Sequence, residues 1–204
     1  GESYQPTELP PEEVEAQYAE IVRALDGCDV YLCETMATLA CARAAARACR
    51  AARPRGRRWR SVHPRRGDRR GGGGAAPPGG GVVVSADGAS VHAAVSLARE
   101  HGAEALLFNC ATPELIQLAV AEASALAAAG AGVGDGSPLR IGGYGNFWEE
   151  ADMRGWSIDK NETVAGAADH KAGGLVVRAD LSTERYASAA CDWIDAGASI
   201  VGGC

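Results

Sequence analysis

Gly102-Ala103-Glu104-Ala105-Leu106-Leu107-Phe108-Asn109-Cys110-Ala111-Thr112-Pro113-Glu114 is the stretch that decides the architecture. Before it, Val91, Val95 and Ala98 recur at helical spacing and predict a helix from about Ser90 to His101. Gly102 ends that helix, because only glycine enters a left-handed cap without a Cβ penalty. Ala105 to Phe108 is an unbroken apolar run, as expected of a parallel strand covered on both faces. Thr112-Pro113-Glu114 then opens a new helix with a hydroxyl cap, a proline in the first turn and an acid at the positive end of the helix dipole. Ile116, Val120 and Ala123 carry it on.

The same helix–glycine–strand unit occurs twice more. Gly27-Cys28-Asp29 precedes Val30-Tyr31-Leu32-Cys33, and Gly197-Ala198-Ser199 precedes Ile200-Val201. Each has an amphipathic helix before it. The first begins near Pro10-Pro11-Glu12-Glu13 with Val14, Tyr18, Val22 and Leu25 on one face; the last is capped by Ser182-Thr183-Glu184 and carries Tyr186, Ala190, Trp193 and Ile194. Such units in series predict an α/β fold with parallel strands. Each of the three strands ends on a chemically capable residue: Glu34, Cys110 and Cys204. In (β/α)8 barrels the C-terminal strand ends converge on one mouth, where the active site sits. An open doubly wound sheet also binds ligands at strand ends. Here, however, the glycines of 71–81 are not followed by the Lys-Ser/Thr of a phosphate loop.

Between the flanks the pattern changes. Residues 53–81 hold about half of the basic residues, then runs of Gly and Pro, with neither helical nor strand periodicity. This composition predicts a disordered insert inside one domain spanning 1–204. So abrupt a loss of pattern is what a shifted reading frame in GC-rich DNA would leave. Beyond it, a helix is expected from Thr38 towards Pro54. A short strand is expected over Leu139–Tyr144, and a long loop containing Trp148 and Trp156 over 146–180.

The net charge of -6 excludes a general nucleic-acid or membrane-surface binder. The Arg run has one aromatic, Trp59, and no recognisable binding fold. No apolar run approaches the ~20 residues that span a bilayer. The chain opens Gly-Glu-Ser-Tyr, without Met or a leader pattern, and is expected to be part of a longer cytoplasmic product. The seven cysteines are then reduced thiols. Cys28, Cys33, Cys41, Cys49 and Cys191 are expected to be small buried residues, and His63, His92, His101 and His170 to lie on the surface. Two thiolates far apart in sequence but on one barrel rim can hold zinc. A zinc-bound thiol substrate then loses its proton near neutral pH.

Asn109-Cys110-Ala111-Thr112-Pro113-Glu114, Gly202-Gly203-Cys204, Glu34-Thr35-Met36 and the opening Tyr4 to Pro11 together resemble the homocysteine S-methyltransferase family. The resemblance implies a partial (β/α)8 TIM barrel, roughly its second half. It makes Cys110 and Cys204 ligands of Zn2+, with no catalytic residue beyond the metal ligands. Glu34 would contact the amino-acid part of L-homocysteine. Thr35 and Asn109 stand in the same motifs, and Tyr144 and Asn146 close the strand at 139–144, so all four are expected at the substrate. The implied reaction moves a methyl group from a small-molecule donor, S-methylmethionine or S-adenosylmethionine before betaine, to the homocysteine sulfur. The family's first strands are not in this sequence. Its Gly-Gly-Cys-Cys motif is represented here only as far as Cys204, which leaves a third thiolate unaccounted for. A catalytically inactive barrel fragment, or a partner-binding remnant, is therefore the alternative.

Overall fold

The computed structural model describes residues 9–52, 57–62, 65–66, 82–84, 88–130, 137–147 and 178–204. They form, in chain order, α1 (Pro11–Ala24), β1 (Val30–Met36), α2 (Leu39–Ala52), β2 (Arg57–Val62), β3 (Arg65–Arg66), β4 (Val82–Val83), α3 (Val91–Glu100), β5 (Ala105–Asn109), α4 (Pro113–Ala129), β6 (Arg140–Gly145), α5 (Thr183–Asp195) and β7 (Ile200–Gly203). The main sheet has five strands in the order β1-β2-β5-β6-β7, every neighbouring pair parallel. β3 and β4 make a separate antiparallel pair. This is the α/β parallel sheet that the helix–glycine–strand repeats predict.

The three glycines behave as the repeat requires. Gly27, Gly102 and Gly197 have φ of 98°, 64° and 106°. At the second and third, the residue after the glycine reaches back into the helix: Ala103 N to Ala98 O at 2.8 Å and Ala198 N to Trp193 O at 2.9 Å. That is the six-to-one bond of a Schellman cap, and it satisfies carbonyls the helix leaves open. The chain is then delivered directly into the sheet, where Ser199 N donates to Ile141 O at 2.8 Å. At the other helix ends, the Ser90 hydroxyl accepts from Ala93 N and the Ser182 hydroxyl from Arg185 N. Thr112 stands at the N-cap of α4 but makes no cap bond with its side chain.

Among the described residues, strand order advances steadily along the sheet, with no reversal and hence no topological switch point. Successive helices touch one another, α1 to α2 through α4 to α5, so they cover one face as a continuous layer. The core lies under that layer. Leu106, Phe108 and Ile141 of the sheet meet Val91, Val95 and Ala98 of α3 and Ile116, Val120 and Ala123 of α4. Burying each large aliphatic or aromatic chain there contributes roughly 1.5–3 kcal/mol. α2 presents mainly alanine to its neighbours, with Ala42, Ala45 and Ala48 buried. Leu25 and Ile194, expected on apolar helix faces, are exposed.

Cys191, expected to be a small buried residue, is exposed. Two further expectations need correction. Residues 57–62 lie within the segment expected to be an insert without regular structure, yet they form β2. Val30 pairs with Arg57 on one side of it, and Trp59 pairs with Ala105 on the other. Main-chain hydrogen bonding asks little of side-chain pattern, so a periodicity argument is blind to it. The remainder of 53–81, apart from Arg65–Arg66, lies outside the described residues. The second correction is His101, which is 6% exposed and sits within 3.5 Å of Arg43 Nη1 and 3.4 Å of Glu100 Oε1. His92 is exposed as expected, and His63 and His170 are outside the described residues.

Glycine at 142 is demanded by proximity. A Cβ there would collide with the carbonyl oxygen of Ile200 and lie 2.9 Å from Leu107 Cδ2. The obstructing oxygen belongs to the backbone of β7 and cannot swing aside. Gly142→Ala is therefore expected to force β6 and β7 apart at a cost of about 1–3 kcal/mol. Urea denaturation would show it as a lower midpoint; an unchanged midpoint would contradict the close approach.

Candidate metal and substrate site

Because the strands run parallel, their C-terminal ends lie along one side of the sheet. Cross-strand register brings them level: Asn109 is opposite Tyr144, Tyr144 opposite Gly202, and Gly145 opposite Gly203. Main-chain bonds continue the ladder past the strands themselves. Cys110 N donates to Tyr144 O at 3.3 Å, Cys204 N to Gly145 O at 3.0 Å, and Asn146 N to Ala111 O at 2.9 Å.

This ladder brings the two sulfurs together. Cys110 Sγ and Cys204 Sγ are 3.1 Å apart across 94 positions of sequence. A disulfide would hold them at about 2.05 Å. Two thiolates each ~2.3 Å from one tetrahedral zinc would stand about 3.8 Å apart. The observed spacing falls between, so a small opening would seat a cation. Without a cation, burial first, then the hydrogen bond with Cys110, pushes the Cys204 thiol up to about 12. A bound metal reverses that balance, since a coordinating thiol is deprotonated outright. The donor chemistry thus fits a thiophilic ion such as zinc as two of its ligands. Among the described residues, no cluster of three or more His, Cys, Asp or Glu completes such a set.

Side-chain bonds link Asn109, Thr35, Tyr144 and Glu34 at this end of the sheet. Asn109 is fully buried. Its Nδ2 donates to Thr35 Oγ1 at 2.9 Å and to Cys110 Sγ at 3.1 Å, joining the ends of β1 and β5. Tyr144 OH donates to Glu34 Oε1 at 3.2 Å, joining β1 to β6. Glu34 is exposed, on the sheet face away from the helices, as is Leu32. Asn146 joins the rim through its main chain. Thr35 and Cys110 both have positive φ, 52° and 55°, and these are the only non-glycine examples among the described residues. For a β-branched residue such as Thr35 this conformation is an outlier, costing on the order of 1–3 kcal/mol. Two such residues bonded through one asparagine mark this end of the sheet as the strained part of the fold.

Sequence reading missed Tyr186. It stands on the apolar face of α5, where helical spacing predicts a core residue. Its hydroxyl lies 2.9 Å from Gly145 O and 2.8 Å from Gly202 O, the carbonyls just before Asn146 and just before Gly203. The available signal was its spacing of seven from Trp193, which puts both on one helix face, together with a half-buried phenol's need for a partner. Trp193 is fully buried and donates from Nε1 to Pro113 O at 3.0 Å. The Trp148 and Trp156 loop lies outside the described residues. A separate cleft of about 230 Å³ between α4 and α5, lined by Glu114, Arg178 and Arg185, shares no residue with the thiol pair.

The homocysteine S-methyltransferase family model matches residues 1–204. Among solved structures, the chain is similar to the homocysteine methyltransferase MmuM from Escherichia coli. Against its metallated form the identity is 20% and the TM-score 0.60, covering 100% of this chain and 51% of that one. Against the oxidised form the values are 19%, 0.57, 100% and 51%, and against the apo form 21%, 0.58, 100% and 55%. This chain therefore spans about half the length of those structures, and the likeness is one of fold. No curated protein matches it.

Asn109 is the joint of the site, and its removal is measurable. Asn109→Ala adds no bulk to this buried site and deletes both side-chain bonds, leaving the Thr35 hydroxyl short of a donor. A loss of about 2 kcal/mol is expected. Equilibrium unfolding in urea reads it; a variant as stable as the parent would mean that the amide ties nothing together.

Proposed function

The chain belongs to the homocysteine S-methyltransferase family, and we propose that it forms the thiol-binding side of an enzyme that methylates L-homocysteine to methionine. The observation that carries this reading is the 3.1 Å meeting of Cys110 and Cys204 at the ends of two parallel strands. We take the sheet to be part of a (β/α)8 barrel, roughly its second half. Steady strand order and helices on one face support that. In such a barrel the open face carrying Leu32 and Glu34 becomes the interior, and the strand ends become its mouth.

Cys110 and Cys204 would hold Zn2+, with a further ligand from outside the described residues. When bound, zinc lowers the pKa of a substrate thiol so that the sulfur is a nucleophile at neutral pH. The chain's own residues do the rest. Asn109 Nδ2 donates to Cys110 Sγ, and that bond strengthens as the sulfur becomes a thiolate. Tyr144 holds Glu34 through one carboxylate oxygen, so that the other faces the substrate ammonium. Thr35, pinned by Asn109, and Asn146, pinned by its main chain, complete the pocket for the amino-acid end. Held there, the homocysteine sulfur attacks the donor methyl in line. A sulfur–carbon bond forms, and the donor's own bond to that methyl breaks with its electron pair going to the donor heteroatom. The thiol proton passes to solvent. A sulfonium donor such as S-methylmethionine or S-adenosylmethionine suits an attack that neutralises charge; an ammonium donor such as betaine has the poorer leaving group. Reduced thiols of this kind suit a cytoplasmic setting. No helix among the described residues is long and apolar enough to cross a membrane.

A second reading, a barrel piece without turnover that binds a partner, is favoured by one observation. Among the described residues no third metal-binding side chain joins the two sulfurs. Zinc titration of the purified chain against a chelating dye, with methionine formation measured in parallel, separates the two. The enzyme reading expects one equivalent of zinc and turnover. Cys110→Ser and Cys204→Ser are each expected to weaken binding by about 100-fold or more. Neither zinc nor methionine in the unaltered chain would leave the partner-binding reading.

A further inference from the structure

We infer that Tyr186 is a positioning residue, setting the distance between the Cys110 and Cys204 sulfurs from the far side of the sheet. The inference rests on the proposed metal reading for its purpose, but on independent contacts for its geometry. Tyr186 OH lies 2.9 Å from Gly145 O and 2.8 Å from Gly202 O. With one hydrogen and two carbonyls in reach, it makes a three-centre bond across the ends of β6 and β7. Gly145 O also accepts from Cys204 N at 3.0 Å, so the phenol and the cysteine amide share one acceptor. Cys204 is thereby two residues from one carbonyl that Tyr186 grips and directly bonded to the other.

The same helix fixes the partner sulfur. Trp193, seven residues on and on the same face, donates to Pro113 O, three residues after Cys110. Tyr186 and Trp193 meet edge to face with centroids 5.6 Å apart, and Phe147 stacks on Tyr186 at 5.0 Å. α5 is thus a ruler: one aromatic holds the start of α4 behind Cys110, the other holds the strand ends that carry Cys204. Gly145 leaves no slack in this arrangement, since a Cβ there would lie 3.2 Å from both Ala111 O and Trp193 Cη2. Burial pushes the Tyr186 phenol above its ordinary value, further towards the protonated form that donates.

The test compares the full chain with Tyr186→Phe, which removes only the hydroxyl, and with Phe147→Leu, which removes the stacking ring and leaves the hydroxyl. Two readouts are taken: zinc affinity by chelator competition, and the rate at which diamide, by taking up the two thiol hydrogens, closes the Cys110–Cys204 disulfide, followed by peptide mapping. Tyr186→Phe is expected to weaken zinc binding by about 10- to 100-fold and to slow closure severalfold. Phe147→Leu is expected to lower the unfolding midpoint with both readouts near the parent values. Placing 4-aminophenylalanine at position 186 restores a donor on the same ring and is expected to recover both readouts, which a packing role alone would not require. If the unaltered chain binds no zinc but Tyr186→Phe still slows closure, the metal reading fails and the positioning role stands. If Tyr186→Phe binds zinc and closes the disulfide like the parent, the positioning role is wrong whatever the metal does.

Discussion

Everything at the candidate site depends on parallel main-chain register. Asn109, Tyr144 and Gly202 are neighbours because β5, β6 and β7 pair in step, and the residues that follow inherit that alignment. A slip of one residue would turn each side chain to the opposite face of the sheet. The glycine caps matter for the same reason. They fix where each strand begins, and therefore which residue it ends on. Chemistry at positions 34, 110 and 204 is a consequence of helix termination some five to ten residues earlier.

Register alone would leave the strand ends free to splay, and two kinds of tie prevent it. On the open face, side chains link ends directly: Asn109 to Thr35, Tyr144 to Glu34. On the helix side, α5 reaches over the ends of β6 and β7 through Tyr186 and back to α4 through Trp193. The first set is polar, with Asn109 buried and the Tyr144–Glu34 bond exposed, and each bond contributes about 1 kcal/mol. The second is anchored in a buried tryptophan and costs more to disturb.

Much of this was legible in the sequence, and for identifiable reasons. The glycines at 27, 102 and 197 announced themselves because helix termination is a local event. Glu34, Cys110 and Cys204 could be placed at strand ends because an apolar run has visible limits. The family membership followed from short motifs at those same ends. What escaped notice was either non-local or carried by the backbone. β2 is held by main-chain bonds that its arginines do not advertise. Tyr186 looks like a core residue until the carbonyls of two other strands are placed beside it. His101 is buried by the packing of α2 against α3, which no periodicity reports. Leu25 and Ile194 have helical spacing, yet both are exposed, which spacing alone does not report.

The left-handed backbone at Thr35 and Cys110 has a bearing on how this protein could change. Glycine adopts such a conformation freely, so at both positions the residue that best suits the main chain is one without a side chain. Selection for thermal robustness alone would erase the hydroxyl and the thiol together. Glycine at 35 or 110 would relax the main chain but would also remove the hydroxyl and the sulfur to which Asn109 donates, so any effort to toughen the fold at these two positions runs towards a protein without that joint.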